Sequence, residues 1–251
     1  MYKKELEIAK SAAIKAGKYL KEYTNIHVDD TKGKDIKLSS DKNSEKILIQ
    51  ELELTSIPIL SEECGLVNRT ESEYCWIIDP LDGTANYWKG MKEFACVSVA
   101  LWKSGEPIVG VVYRFELDEL YFGVVGEGAY CNGQVIYTSS VGDTKNAVIA
   151  TGFPVHRNYS TESLAKFIRQ VQKFKKVRML GAAAIMGAFV GAGKIDVYME
   201  DEIMLWDIAA ATAIVKAAGG EIEIEILNDY KCICKCFANH KLKEDYYAEG
   251  I

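Results

Sequence analysis

Residues 76–87 read WIIDPLDGTANY, and the rest of the chain is organised around them. The apolar residues up to Ile78 predict a half-buried or fully buried strand. The pair Asp79-Pro80 should end that strand, because proline has no N–H to donate to a strand ladder. The turn that follows sets two carboxylates, Asp79 and Asp82, at the end of a rigid element.

The next two residues add ligand-binding groups to this turn. Gly83 has no Cβ, so the backbone can come close to a ligand, and Thr84 adds a hydroxyl and an N–H. Mg²⁺ prefers oxygen ligands and is usually held by one or two carboxylates together with phosphate oxygens. The stretch therefore predicts a site for a divalent cation and a phosphate. Taken alone, Asp-Pro and Asp-Gly pairs are also common turn formers, so support must come from elsewhere in the chain.

Composition sets the broad class. The 251 residues fit one large domain or two small ones, and 49% hydrophobic and 26% charged residues are ordinary for a soluble globular protein. The net charge of −6 argues against a nucleic-acid-binding surface. No apolar run predicts a membrane span, and the Lys- and Glu-rich N-terminus does not resemble a signal peptide, so we expect a cytoplasmic protein. The 7 scattered cysteines predict free thiols in a reducing compartment.

Two carboxylate segments precede the central stretch. An amphipathic helix over residues 2–23 is followed by a polar stretch, residues 31–41, which predicts a mobile loop. The loop leads into a helix that starts near Ser40-Asp41 and carries Ile47, Leu48 and Leu54 inward. Asp41 is either a functional carboxylate or a helix cap. A short strand over residues 57–60 ends at Glu62-Glu63, which is either a ligand pair or a solvated surface.

The chain changes character near residue 142. Residues 94–136 predict an antiparallel meander with a hairpin at Asn132-Gly133. Beyond residue 142, strands and helices alternate, so we predict an N-terminal α+β domain, residues 1–142, and a C-terminal α/β domain, residues 143–251. Asp207 opens a helix that Gly219-Gly220 closes, and as with Asp41 it could be only a cap.

Three cysteines near the C-terminus alternate along a predicted strand, so their side chains share one face. They are Cys232, Cys234 and Cys236. Zinc knuckles usually have C-x-x-C spacing, so buried structural thiols are the better interpretation.

Together these segments resemble the inositol monophosphatase superfamily of Mg²⁺-dependent, lithium-sensitive phosphatases. Its hallmark D-P-[aliphatic]-D-G-T/S-x-N-[FY] is matched by residues 79–87, and its W-D-x-A-A…A-G-G by residues 206–220. The pair Glu62-Glu63 and the segments GEGAYCNG (126–133) and TGFP (151–154) also look like family segments. The loop motif D-x-V-T-x-x-D is matched only by Asp35 and Asp41, because Lys37-Leu38 stands where the family has Val-Thr. The resemblance covers essentially the whole chain.

The resemblance implies a layered αβαβα sandwich of the inositol monophosphatase and fructose-1,6-bisphosphatase type, with the site between two domains. It further implies two or three Mg²⁺ ions, with Mn²⁺ as a possible substitute. The implied ligands of one ion are Glu62, Asp79, the Leu81 carbonyl and Thr84; those of a second are Asp79, Asp82 and Asp207. A third, weaker ion would use Glu62 and carboxylates of the loop.

The implied catalytic residues are Asp41, Thr84 and Glu62, with Asp41 hydrogen-bonded to Thr84 to polarise the attacking water. The amides of Gly83 and Thr84 would hold the phosphate. The implied residues on the alcohol side of the substrate are Ala183, Glu200 and Asp207.

We therefore predict a phosphoric monoester hydrolase that acts on inositol monophosphate or a related sugar phosphate. Relatives that cleave adenosine 3′,5′-bisphosphate usually read G-T-K-E-F where this chain reads GTANY (83–87). A bisphosphate nucleotidase is the alternative, and a non-catalytic regulator that binds metal or phosphate is a third possibility. We expect a small-molecule phosphate ester as the partner, no nucleic acid, no membrane, and a homodimer.

Overall fold

The computed structural model describes residues 2–24, 26, 28–32, 35–155, 157–228 and 230–248, and for residues 29–32 and 35 only the backbone. The described helices are α1 (Lys3–Glu22), α2 (Ser39–Leu52), α3 (Thr84–Trp88), α4 (Thr161–Val171), α5 (Ala183–Gly191), α6 (Leu205–Ala217) and α7 (His240–Ala248). The described strands are β1 (Val28–Lys32), β2 (Asp35–Leu38), β3 (Ile59–Ser61), β4 (Gly65–Val67), β5 (Tyr74–Asp82), β6 (Cys96–Lys103), β7 (Glu106–Arg114), β8 (Glu119–Val124), β9 (Gly128–Cys131), β10 (Gln134–Ile136), β11 (Val148–Ala150), β12 (Lys176–Arg178), β13 (Val197–Met204), β14 (Glu221–Asn228) and β15 (Lys231–Phe237).

Within the described residues these strands form three sheets. β1 and β2 make an antiparallel hairpin. An eight-stranded sheet has the order β10-β9-β8-β7-β6-β5-β3-β4 and is antiparallel except where β3 runs parallel to β5. A five-stranded sheet has the order β12-β11-β13-β15-β14; β11 is parallel to both of its neighbours, and β15 is antiparallel to both of its own.

The apolar side chains form three cores between five layers. The first lies between α1, α2 and one face of the eight-stranded sheet. The second lies between the opposite face, helices α5 and α6, and the five-stranded sheet. The third lies between the outer face of the five-stranded sheet and helices α4 and α7. This is the αβαβα sandwich that the family resemblance implied. The first core buries Leu20, Leu48 and Trp76, among others. The second buries Trp102, Ile208 and Cys234, and the third buries Phe167, Phe237 and Tyr246.

The central helices approach their neighbours closely because their contact residues are small. A Cβ built on Gly110 of β7 would lie 2.1 Å from the carbonyl oxygen of Ala210 in α6. One built on Gly187 of α5 would lie 2.5 Å from the Cβ of Ala211. Neither distance can accommodate a side chain, so these glycines allow α6 to pack directly on both the sheet and α5.

Several local predictions are confirmed. Helix α1 buries Ala9, Ala13, Ala16 and Leu20, as its four-and-three spacing indicated. The meander is present as β6 to β10, and the turn between β9 and β10 has a positive φ at both Asn132 and Gly133, 48° and 78°.

Two predictions near the N-terminus are wrong. The polar stretch 31–41 was expected to be a loop, but its described part pairs as the β1–β2 hairpin and α2 begins at Ser39. Gly33 and Lys34 lie outside the described residues, as does the Asp35 side chain. Leu54 was expected to point inward and is 77% exposed, because α2 ends at Leu52 and Leu54 lies in the 3₁₀ turn beyond it.

The second half differs from a regular α/β unit. The five-stranded sheet is mixed, and neither β14 nor α7 was anticipated by the sequence analysis. β14 alternates Glu and Ile over residues 221–226, which is a strand pattern. The two larger sheets are built from residues on either side of position 142, and the domain boundary there stays a prediction. Among the helices described, none combines the length and the apolar character needed to span a bilayer.

Candidate active site

The turn at Asp79–Thr84 is built on a bulge in β5. The strand does not stop at Pro80 as predicted; its ladder with β6 continues to Asp82 and shifts register between Asp79 and Asp82. Proline is tolerated there because a bulge leaves residues unpaired. The Leu81 N–H donates to Asp79 Oδ1 over 2.9 Å, and the Thr84 hydroxyl donates to the Leu81 carbonyl over 2.9 Å. The bulge therefore gathers two carboxylates, a carbonyl and a hydroxyl in one short segment.

Gly83 is required by this turn. Its φ is +85°, a left-handed value that side chains rarely adopt, and a Cβ there would lie 2.5 Å from the Phe94 carbonyl oxygen. The segment is tied to its surroundings by Asn86, whose Nδ2 donates to the carbonyls of Phe94 (2.9 Å) and Leu180 (2.7 Å). The backbone conformation of Gly83 and the hydrogen bonds of Asn86 together fix the path of this segment and its distance from the second half of the chain.

Asp82 joins the two halves of the protein. Its carboxylate accepts hydrogen bonds from Ala183 N (3.2 Å, Oδ1) and Ala184 N (2.8 Å, Oδ2), at the first turn of α5. A negative charge is favourable there because the first N–H groups of a helix have no partner within it. The Cys96 thiol also donates to Asp82 Oδ2, over 3.6 Å. Ala183, predicted to line the substrate alcohol, thus directs its N–H to Asp82.

Asp41 and Asp207 occupy equivalent positions in two different helices. Each is the third residue of its helix, and its carboxylate accepts a hydrogen bond from the backbone N–H of the residue just before the helix. Leu38 N donates to Asp41 Oδ2 over 3.0 Å, and Met204 N donates to Asp207 Oδ2 over 3.3 Å. The capping interpretation is therefore correct for both. It does not exclude a second role, because an ionised carboxylate has about four acceptor positions.

The Glu-Glu pair follows β3, which lies beside β5. Glu63 accepts a salt bridge from Lys37 Nζ over 2.9 Å, and its side chain is 7% exposed. Glu62 instead hydrogen-bonds to Asp79. Ser44 of α2 donates to the Pro80 carbonyl over 2.8 Å, so the helix that carries Asp41 is fastened to the same strand end.

One predicted contact is absent. Asp41 was expected to hydrogen-bond to Thr84, but the Thr84 hydroxyl donates to the Leu81 carbonyl. The carboxyl group of Asp41 instead accepts from Leu38 N and, over 3.4 Å, from the Ser40 hydroxyl. Both groups are satisfied by residues near to them in sequence, because the bulge and the helix start bring those partners within reach.

Glu200 comes from the other side of the site. It lies on β13 in the five-stranded sheet and is 5% exposed. Its negative charge raises the pKa of Asp207, and that of Asp82 raises the pKa of Glu200. The fold therefore brings Asp82, Asp207 and Glu200 into one electrostatic neighbourhood.

Burial, and then mutual repulsion, raises the pKa of this acidic cluster. The pKa of Glu62 is raised to about 8 by burial and the neighbouring Glu63 charge. Burial raises the pKa of Glu200 to about 8, of Asp41 to about 7 and of Asp82 to about 6. Asp79 and Asp207 are raised well above their usual pKa by burial and by the other acidic groups.

Little positive charge offsets this cluster. In the part of the chain that the structure describes, none of the ion pairs includes Asp79, Asp82 or Asp207. Among the same residues, no three His, Cys, Asp or Glu side chains are arranged so that they could hold a metal ion as they stand. The ligand sets inferred from the sequence therefore stay predictions.

Sequence reasoning missed two residues that belong to this region. Arg157 is buried, lies 3.9 Å from Asp201 through its Nη2, and lowers the pKa of Glu200 by its charge. Its only sequence signal is its position shortly after TGFP (151–154). Cys96 was counted only as one of the free thiols, yet it donates to Asp82. The two residues are paired in the β5–β6 ladder, and this pairing could have indicated the contact.

Comparison with known proteins gives several matches over most of the chain. The sequence pattern of the inositol monophosphatase family matches residues 1–224. The chain is 40% identical over 226 residues to a fructose-1,6-bisphosphatase/inositol-1-monophosphatase of Aquifex aeolicus, covering 87% of this chain and 84% of that one. It is 34% identical over 223 residues to the Nus factor SuhB of Escherichia coli K12, covering 86% and 83%.

Solved structures agree as well. An inositol monophosphatase from Anabaena sp. PCC 7120 superposes with a TM-score of 0.85 at 30% sequence identity, over 98% of this chain and 95% of the other. The acidic residues at the ends of β3 and β5, within β13 and at the starts of α2 and α6 thus lie in a fold that is known from solved structures.

Proposed function

The chain belongs to the inositol monophosphatase family and is a phosphomonoester hydrolase, and on that premise we propose that it hydrolyses inositol monophosphate or a related sugar phosphate with the help of Mg²⁺. One observation carries the proposal. The buried carboxylates Asp79, Asp82 and Asp207 lie close enough together for their charges to repel one another. Burying like charges is costly unless a cation pairs with them.

The donor set fits a hard divalent cation. Glu62, Asp79, Asp82 and Asp207 offer only oxygen, which is what Mg²⁺ and Mn²⁺ take in proteins. We assign them as the residues that would hold two or three ions, together with the Leu81 carbonyl and Thr84. When bound, such ions would activate water and stabilise the leaving alkoxide of a phosphate ester.

The chain's own residues would handle the proton and the substrate. Asp41 and Glu62, with pKa values raised to about 7 and about 8, are suited to accept a proton from water near neutral pH. The amides of Gly83 and Thr84 would bind the phosphate. Asp207, Ala183 and Glu200 would face the alcohol, with Glu200 accepting hydrogen bonds from its hydroxyl groups.

A phosphate-release screen tests this function. The purified protein would be given inositol 1-phosphate, glucose 1-phosphate, fructose 1,6-bisphosphate and adenosine 3′,5′-bisphosphate, each with Mg²⁺ and with excess chelator. We expect release from the polyol esters in Mg²⁺ and none in chelator. Release that persists in chelator contradicts the metal assignment, and preferential release from the adenosine ester establishes the alternative nucleotidase.

A second candidate function is favoured by the name of one relative. The Escherichia coli protein is called a Nus factor, so a role as a binding protein besides catalysis is open for this chain. A protein inactive on every ester in the screen, but able to bind Mg²⁺ and phosphate, would support that role in place of catalysis.

We also propose a cytoplasmic homodimer that does not bind nucleic acid. The net charge of −6 supports the last point, because a nucleic-acid surface needs an excess of basic residues. Light scattering coupled to size exclusion would give the mass in solution, and a chain mass of 27.9 kDa instead of twice that value would refute the dimer.

A further inference from the structure

Glu200 lies at an irregular point of β13. The ladder with β15 shifts register between Glu200 and Ile203, and Glu202 in the bulge has a φ of 62°. The bulge thus contains two acidic residues, Asp201 and Glu202, directly after Glu200, which is itself paired with Cys234 of β15. Three acidic side chains in a row, the first of them buried, need partners outside the strand.

The segment after β11 makes the required contacts. The backbone N–H of Asn158 donates to Glu202 Oε1 over 2.8 Å, and Arg157 Nη2 lies 3.9 Å from Asp201 Oδ2. Arg157 and Glu200 both line a cavity of about 10 Å³, the size of one water molecule. The bulge is therefore attached to this segment at neighbouring residues.

Arg157 is an unusual side chain for such a segment. It is 2% exposed, and its guanidinium lies 4.7 Å from the centre of the Phe167 ring and 5.9 Å from that of Phe153. Its buried Nε has no hydrogen-bond partner among the described residues. A buried guanidinium is costly unless negative charge offsets it, and here that charge comes from Asp201 and Glu200.

The space around the Glu200 carboxylate is limited by Gly152. A Cβ built there would lie 2.7 Å from Glu200 Oε1 and 3.2 Å from its Cδ. Its φ is not in the left-handed region, so the reason for glycine is space and not backbone strain. The Glu200 carboxylate thus lies against the bare backbone of Gly152 and shares a small cavity with Arg157.

We propose that Arg157 is a positioning residue that fixes the Glu200 carboxylate to accept a hydrogen bond from a hydroxyl group of the substrate alcohol. This rests on the proposed function and adds a specificity to it. The enzyme prefers phosphate esters of polyols over esters whose alcohol has no neighbouring hydroxyl, and the preference depends on Arg157.

The experiment compares myo-inositol 1-phosphate with p-nitrophenyl phosphate in Mg²⁺. The variants are Arg157→Met, Arg157→Lys, Glu200→Gln, the double variant Arg157→Met/Glu200→Gln, and Gly152→Ala. Arg169→Met, an exposed arginine on α4, is the matched control. Melting temperatures establish which variants are folded, and Gly152→Ala disturbs Glu200 without removing a buried charge.

Arg157→Met should raise KM for the polyol ester about tenfold or more, change its kcat less than threefold, and leave both constants for the aryl ester unchanged. Glu200→Gln and Gly152→Ala should also raise KM for the polyol ester, by a larger factor than KM for the aryl ester, and the double variant should lose no more than Glu200→Gln alone. Arg157→Lys should recover part of the affinity, and Arg169→Met should behave as wild type.

Equal losses on both esters overturn the proposal, because they indicate general damage to the fold or to the handling of phosphate. Additive losses in the double variant overturn it too, since Arg157 would then act apart from Glu200. Wild-type enzyme that hydrolyses both esters without preference contradicts this inference alone. Wild-type protein that hydrolyses neither contradicts the proposed function, and the inference with it.

Discussion

Replacing Asp82 by asparagine should abolish turnover while leaving the metal-free protein at least as stable as wild type. Asp82 is 7% exposed and lies in the acidic cluster, so its ionised form is disfavoured in the folded state. A pKa raised from 3.8 to about 6 means that, at pH 7.5, ionised Asp82 costs the folded state about 3 kcal/mol. The neutral amide removes that cost.

The same substitution loses a contact. Asp82 accepts from Ala183 N and Ala184 N through different oxygens, and asparagine has only one carbonyl oxygen. The pKa of about 6 already includes the hydrogen bonds of the ionised form, so the further loss is that of a neutral hydrogen bond, about 0.5–1.5 kcal/mol. The balance lies between about 1.5 and 2.5 kcal/mol of stabilisation, or a rise in melting temperature of about 3–10 °C for a chain of this size.

The sign of the effect depends on pH in a way that can be checked. The folded pKa is raised, so the penalty is absent below the unfolded pKa and grows as pH rises towards 6. The cost of ionised Asp82 should shrink to below about 1 kcal/mol at pH 4, where the carboxyl group is protonated in the folded state and ionised in roughly half of the unfolded molecules. At that pH the lost hydrogen bond should dominate and the variant should melt below wild type.

The assay is thermal melting in chelator at pH 7.5 and pH 4, together with phosphate release in Mg²⁺. Turnover should fall at least about 100-fold, and the stabilisation that Mg²⁺ gives wild type should shrink. Asp245→Asn is the matched control, because Asp245 also accepts a backbone N–H, from Thr144 at 2.8 Å, but its pKa is lowered. That control should lose stability and keep its activity.

Two results would refute the reasoning about Asp82. One is turnover within tenfold of wild type, which would remove Asp82 from the machinery. The other is a metal-free variant that melts more than about 5 °C below wild type at pH 7.5, which would mean that its contacts with α5 outweigh the repulsion.

Three further predictions concern other parts of the structure. Asp41→Ala should lower kcat far more than it changes KM, because activation of water matters in the transition state; a change in KM alone would exclude that role. Metal-free wild-type protein should lose stability as pH rises from about 4 to 7, because burial favours the protonated form of Asp41 and raises its pKa to about 7. Chemical denaturation at several pH values measures the free energy of unfolding, and a profile that stays flat over this range counts against the buried acidic cluster. Changing Cys232, Cys234 and Cys236 together to serine should remove no zinc, since these thiols are buried in the core; stoichiometric zinc in the wild type, absent from the variant, would show otherwise.

Local pattern was sufficient for most elements of the fold. The spacing of alanines in α1, the alternating strands of the meander and the Asn132-Gly133 turn all reflect contacts between near neighbours in sequence. Prediction failed where a longer contact decided the outcome. The polar stretch before α2 has no apolar face to reveal it as a hairpin, and Pro80 is accepted within β5 because a bulge removes the need for its N–H.

The candidate site divides in the same way. A sequence alone could show that Glu62, Asp79, Asp82 and Asp207 each stand at the end of a regular element, since polar residues after apolar runs mark such ends. It could not show which of their oxygens would be taken by backbone amides. Thr84 is an example: its hydroxyl donates to the nearby Leu81 carbonyl and not to the Asp41 carboxylate that was predicted as its partner.

What the sequence determined by itself is the chemistry available: an oxygen-only acidic set in the order of a known family, carried on elements whose type follows from local spacing. What only the tertiary structure decided is which of these groups share an environment. The Asp82 carboxylate accepts a hydrogen bond from Ala184, 102 residues later, and Glu200 of β13 shares a cavity with Arg157 from the segment after β11. Pairings of this kind depend on how layers pack, and packing is a sum over many distant contacts that no short stretch of sequence records.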